Sequence, residues 1–173
     1  MKNLSLLWSI GVVALFIAGI FFFSRNDQTA VTMPEIVPEG YAKYENQKYG
    51  FYLYHPPAAV IKEYEEGGGA RTITLEDLGS SQGLQIFIVP YQDQMITDER
   101  FKRDVPSGVR LNMENSSVGL PQVPAVVFDS QDQFLGETRE AWFIYGGYLY
   151  EITTLKSSED WMSSVLGTWR FTN

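Results

Sequence analysis

Ala141-Trp142-Phe143-Ile144-Tyr145-Gly146-Gly147-Tyr148-Leu149-Tyr150-Glu151-Ile152 is the stretch whose pattern commits this chain to a fold. Aromatic and β-branched residues suit a pleated, half-buried surface. Two such runs, 141–145 and 148–155, flank a glycine pair. Gly146-Gly147 supplies the positive φ angles that a two-residue I′ turn needs. The reading is a long antiparallel hairpin within residues 137–155.

Further strand patterns lie upstream. Residues 41–45 and 51–54 are short aromatic runs on either side of Asn46-Gln47-Lys48-Tyr49-Gly50, which reads as a second hairpin. Pro56-Pro57 stops its second strand, because proline cannot donate to a ladder. In 71–76, Ile73 and Leu75 share one face, with Thr72 and Thr74 on the other. In 83–89, Leu84, Ile86 and Ile88 face one way while Phe87 and Val89 face the other. A strand apolar on both sides belongs in the middle of a sheet. Residues 109–118 and 123–130 read as strands, and 168–171 as a short closing one.

Two helices complete the pattern. Thr97 caps 97–104, with Asp98 and Glu99 in the first turn and Lys102 and Arg103 later; Pro106 and Gly108 end it. Residues 158–166 carry Trp161, Met162, Val165 and Leu166 at helical spacing, with Ser157 and Asp160 as a box-like start. Gly67-Gly68-Gly69 reads as a flexible loop tip. The order of elements predicts an α+β domain, an antiparallel β-sheet with flanking helices.

Three stretches carry a family resemblance. Tyr49-Gly50-Phe51-Tyr52-Leu53-Tyr54-His55-Pro56 is similar to the start of PsbP/Mog1-like domains. Residues 141–152 resemble that group's penultimate hairpin, and residues 161–171 its closing helix and strand. The resemblance covers most of 41–171 and implies an α-β-α sandwich. It implies no single activity. Characterised relatives are an accessory subunit of photosystem II and a partner of a small nuclear GTPase, both binding proteins. Their partner-binding residues lie outside the matched stretches.

The N-terminus supplies an address. Residues 4–23 form an uncharged, apolar or small-residue run, long enough to cross a bilayer as one helix. The run exceeds a typical signal peptide, and Phe21-Phe22-Phe23 stands where small residues would mark cleavage. The expectation is an uncleaved anchor over 1–26, with a cleaved signal as the alternative. Lys2 favours a cytoplasmic N-terminus. Residues 27–39, with Pro34 and Pro38, read as a tether. Residues 40–173 then form one extracytoplasmic domain of a single-pass plasma-membrane protein, with the bilayer as a partner through 4–23.

Composition narrows the chemistry. The chain has 13 basic and 21 acidic residues; setting aside Lys2, Arg25 and Asp27 leaves 11 and 20, a charge of −9. Such a domain is repelled by phosphate backbones, so no nucleic-acid partner is expected. The absence of cysteine removes disulfides, thiol catalysis and thiolate metal sites. His55, the only histidine, reads as a strand-end residue rather than a base or ligand. Glu63, Glu65 and Glu66 lack calcium-loop spacing and read as a solvated strand end. No nucleophile elbow, P-loop or dinucleotide fingerprint is present.

No catalytic, cofactor or metal residue emerges. The expected role is a non-catalytic, membrane-tethered binding or scaffolding domain with a protein partner. Tyrosine is enriched at interfaces, and Tyr52, Tyr54, Tyr148 and Tyr150 form the candidate partner surface. The alternatives are a carboxylate- or metal-dependent envelope enzyme and an accessory subunit of a membrane complex. Carboxylates from distant segments converging on one deep pocket, with shifted ionisation, would mark the enzyme. A shallow surface would mark the binder.

Overall fold

The structure is a computed structural model that describes residues 37–172. The expected anchor (1–26) and the tether as far as residue 36 lie outside the described residues. No helix among the described residues is long and apolar enough to cross a membrane.

In chain order the elements are β1 (Ala42–Asn46), β2 (Phe51–His55), β3 (Val60–Gly67), β4 (Ala70–Asp77), β5 (Gln82–Pro90), α1 (Asp98–Asp104), β6 (Leu111–Val118), β7 (Val123–Asp132), β8 (Gly136–Tyr145), β9 (Tyr148–Leu155), a 3-10 turn (Lys156–Ser158), α2 (Glu159–Gly167) and β10 (Arg170–Phe171). They form a small sheet, β1-β2-β10, and a large antiparallel one, β3-β4-β5-β9-β8-β7-β6. The expected glycine hairpin is the β8–β9 pair, running from Thr138↔Leu155 to Tyr145↔Tyr148. Gly146 and Gly147 adopt φ of 59° and 81°, as the tight turn demands.

The small sheet and α2 cover one face of the large sheet. Alternation turns Phe51 and Leu53, Ile73 and Leu75, Ile86 and Ile88, and Tyr150 and Ile152 into this layer, where they join Val165 and Trp169. The opposite face is covered only in part. There Phe101 and Val105 of α1 pack on Phe128, Trp142 and Leu149, with Phe101 stacked on Trp142 at 4.9 Å. Thr97 caps α1 as expected, its Oγ1 accepting from the Arg100 N–H at 3.2 Å. Seven residues of helix cannot roof seven strands, and the remainder of this face stays open.

Two expectations need correction, and a third is extended. The architecture is sheet-dominated rather than a sheet flanked by helices, because a second sheet does most of the covering on one side. The solvated strand end expected at Glu63 to Glu66 belongs to a longer edge strand over 60–67, and Gly67 to Gly69 is its tight turn into β4. The strand shows no alternation because almost none of it is buried, and its charges keep an unpaired edge soluble. The Ser157 capping box does not form. Instead a 3-10 turn leads into α2, and Lys156 Nζ ties the entrance to Asp129 (2.9 Å) and Glu159 (2.7 Å).

One glycine is fixed by close approach. Gly119, between β6 and β7, has φ 74°, and a Cβ there would lie 2.7 Å from Phe171 and 3.1 Å from Trp169. Gly119→Ala is expected to lower stability by about 1–3 kcal/mol through overpacking and backbone strain. Gly108→Ala shares the strained φ (70°) but meets nothing within 4 Å, so it should lose less. Urea midpoints at constant m-value measure both.

Candidate functional site

The open face of the large sheet forms a groove of about 760 Å³. Strand register builds its floor in rows. Thr74, Gln85, Thr153 and Glu140 stand side by side across β4, β5, β9 and β8. The next row holds Phe87, Glu151 and Trp142. Val105 and Pro106, at the C-terminal end of α1, form one wall. Gly83 lines the mouth without a side chain.

Two carboxylates are embedded in this floor. Glu140 is buried, and both of its oxygens are occupied. Oε1 accepts from Thr138 Oγ1 (2.8 Å); Oε2 accepts from Thr153 Oγ1 (2.7 Å) and Trp142 Nε1 (3.3 Å). Burial raises its pKa above the usual value, and those three bonds pull against the rise. Glu151 is buried too and accepts from Arg100 Nε (3.0 Å) and Nη2 (2.6 Å). Burial, reinforced by Asp104, pushes the Glu151 carboxyl up to about 8 against the pull of Arg100. Arg100 is itself buried and also pairs with Asp104 one helical turn on. The triad therefore fastens α1 to the sheet.

No family model matches the chain, and no curated protein matches it. Among solved structures the chain is similar to the solution structure of cyanobacterial PsbP (CyanoP) from Synechocystis sp. PCC 6803. The TM-score is 0.53 at 14% identity, over 81% of this chain and 97% of that one. The fold is PsbP-like. At this identity the likeness extends to the fold and no further.

Within this fold the four candidate tyrosines do not converge. Tyr52 and Tyr54 are half-buried on the outer side of β2, alternating with the inward Phe51 and Leu53. Their rings meet edge to face at 6.0 Å, and Lys43 Nζ lies 4.0 Å over Tyr52. Tyr148 is half-buried and packs edge-on against Tyr49 at 5.0 Å. Tyr150 is 0% exposed, stacks on Phe143 at 4.8 Å and donates to the Tyr49 carbonyl (3.2 Å). Its place in the surface is corrected: even-numbered residues of β9 face the core, and burial raises the Tyr150 pKa.

His55 ends β2, buried, its Nδ1 donating to the Pro56 carbonyl at 2.8 Å. Arg71 pairs with Glu63 and Glu65 along β3, and Tyr44 donates to Glu63 (2.7 Å). Among the described residues no group of three or more His, Asp or Glu side chains is placed to hold a metal ion. Sequence reasoning passed over Glu140, Glu151, Asp104 and Arg100. The available signal was a lone carboxylate inside an apolar strand run, as in Tyr148-Leu149-Tyr150-Glu151-Ile152. Burying such a group requires a partner from elsewhere in the chain.

Proposed function

We propose that this chain is a non-catalytic binding module, tethered by residues 4–23 to the plasma membrane and displayed outside the cytoplasm. The open groove of the large sheet would be its binding surface, and a protein its partner. The observation that carries this reading is that the groove is open while its buried carboxylates are already engaged. Glu140 accepts three bonds from its own sheet, and Glu151 is clamped by Arg100. A general base needs a lone pair within reach of a substrate proton. Buried groups held in this way act instead as a rigid frame.

A second reading, a carboxylate-dependent envelope enzyme, draws on the convergence of Asp104, Glu140 and Glu151 from α1, β8 and β9 and on the raised Glu151 pKa. Site-specific photocrosslinking in intact membranes separates the two. A photoreactive residue at exposed Gln85, in the groove floor, should give one discrete protein adduct from alkaline-washed membranes. The same residue at Tyr52 probes the outer face of the small sheet. An adduct from Tyr52 alone would move the surface to the small sheet. No adduct from either position would end the binding reading.

A further inference from the structure

Two hairpin tips flank the mouth of the groove, and they are built alike. In the β4–β5 turn, Asp77 Oδ1 accepts from the N–H groups of Gly79 (3.0 Å) and Ser80 (3.3 Å). In the β7–β8 turn, Asp132 Oδ1 accepts from those of Phe134 (2.7 Å) and Leu135 (2.8 Å). Each aspartate thus staples its own turn. Each turn also presents large apolar side chains to solvent. Leu78 is 83% exposed, Phe134 86% and Leu135 55%. Leu78 and Leu135 both line the groove, and the register places both turns at the same end of the sheet. Rigid tips with exposed apolar residues on both sides of a cleft form a pair of jaws.

The charge of the cleft selects what the jaws would hold. Glu76, Asp77, Asp104, Asp132, Glu140 and Glu151 line it, and no lysine or arginine does. Arg100 is committed to Glu151 and Asp104, and Lys62 reaches Glu76 from outside (3.1 Å). Asp77 and Asp132, at the bases of the two jaws, have no cationic partner among the described residues. In the groove floor, Thr74 Oγ1 is buried without a hydrogen-bond partner. An acidic cleft between apolar lips complements a segment that alternates cationic and apolar side chains.

We infer that the groove takes a basic, amphipathic polypeptide segment, its apolar side chains between Leu78 and Leu135 and its lysines or arginines at Asp77 and Asp132. This rests on the binding reading and names the chemistry of its partner. An anionic lipid surface would meet the uncompensated Asp77 and Asp132 at the lips of the cleft and be repelled.

The test uses the full chain in nanodiscs of zwitterionic phosphatidylcholine, so that the lipid does not draw the probe. The probe is a fluorescent heptapeptide alternating lysine and leucine; its control replaces each lysine by glutamate. Fluorescence anisotropy should show the lysine peptide binding and the glutamate peptide failing to bind. Asp77→Asn with Asp132→Asn keeps the Oδ1 acceptors that hold the turns and removes only charge. This pair should weaken the lysine peptide about five- to tenfold and flatten its salt dependence. Leu78→Ser with Leu135→Ser should weaken it to a similar degree.

Equal affinity for both peptides would overturn the inference about charge. So would lysine-peptide binding that neither double variant affects. If Gln85 crosslinks a membrane protein while the lysine peptide does not bind, the partner chemistry fails and the binding reading stands. If both give nothing, both fall.

Discussion

Replacing Arg100 with methionine is expected to destabilise the domain by about 3–5 kcal/mol near pH 8, because buried Glu151 then loses its cation and half-buried Asp104 one of its two. Arg100 and Glu151 are each 6% exposed, so water replaces little of what is lost. Methionine keeps most of the side-chain volume, which separates the loss of charge from the loss of packing. The effect should depend on pH. In the folded domain the Glu151 carboxyl is raised from its ordinary 4.5 to about 8. The native state therefore holds a proton that the unfolded chain releases, and this contribution is full below about pH 4.5. It is lost as pH rises towards 8.

The variant should follow the same sign with a larger amplitude. At pH 5 Glu151 is neutral in the folded state and has little need of a cation, so the variant should lose least there. At pH 8 wild-type Glu151 gives up its proton and leans on Arg100, and the variant has no cation to offer. Urea unfolding at the two pH values, followed by tryptophan fluorescence, reads the difference. An equal loss at both would mean that Arg100 acts by packing alone. Because α1 forms one wall of the groove, Arg100→Met should also loosen that wall, and amide exchange in residues 98–105 should quicken before the rest of the sheet opens.

How much of this was legible depended on whether a residue's neighbours lie nearby in the sequence. The β8–β9 hairpin could be read because its two strands and its glycine turn are contiguous, and each strand has a buried face. The α1 cap could be read because Thr97 and the Arg100 N–H lie three residues apart. Of β3 only the charged, solvated end at Glu63 to Glu66 could be read, because an edge strand without a buried face has no period to detect. Tyr150 was misassigned to the surface because its parity along β9 becomes meaningful only once one face is known to meet the small sheet. The Arg100–Glu151 pair joins residues 51 positions apart, and the row through Thr74, Gln85, Thr153 and Glu140 draws on four strands. Local pattern fixes which way a side chain points, but not what stands opposite it. The groove is therefore a property of register, and the carboxylates in it read as ordinary polar residues until the strands are paired.

The second large effect is expected on the opposite face of the sheet. Trp169 is 0% exposed and joins three parts of the fold. Its ring stacks on Phe51 of β2 at 4.2 Å and meets Phe143 of β8 edge-on at 5.6 Å and Tyr150 of β9 at 6.0 Å. Its backbone accepts from Leu120 (3.1 Å) and donates to Leu166 (3.0 Å), linking the β6–β7 turn to the end of α2. Trp169→Ala should cost about 3–5 kcal/mol, from lost transfer energy and from the cavity left behind. Trp169→Phe should cost much less. It keeps an aromatic ring against Phe51 and removes an indole N–H that is buried without a partner. The form of the transition carries further information. Phe51, Leu53, Val165 and Phe171 still pin the small sheet and α2 to the large sheet, so unfolding of the alanine variant should remain a single transition with an unchanged m-value. A lowered m-value would mean that the small sheet detaches under native conditions and that Trp169 alone couples it to the large sheet. The groove lies across the sheet from this ring, so the alanine variant, while folded, should bind the lysine peptide as the wild type does.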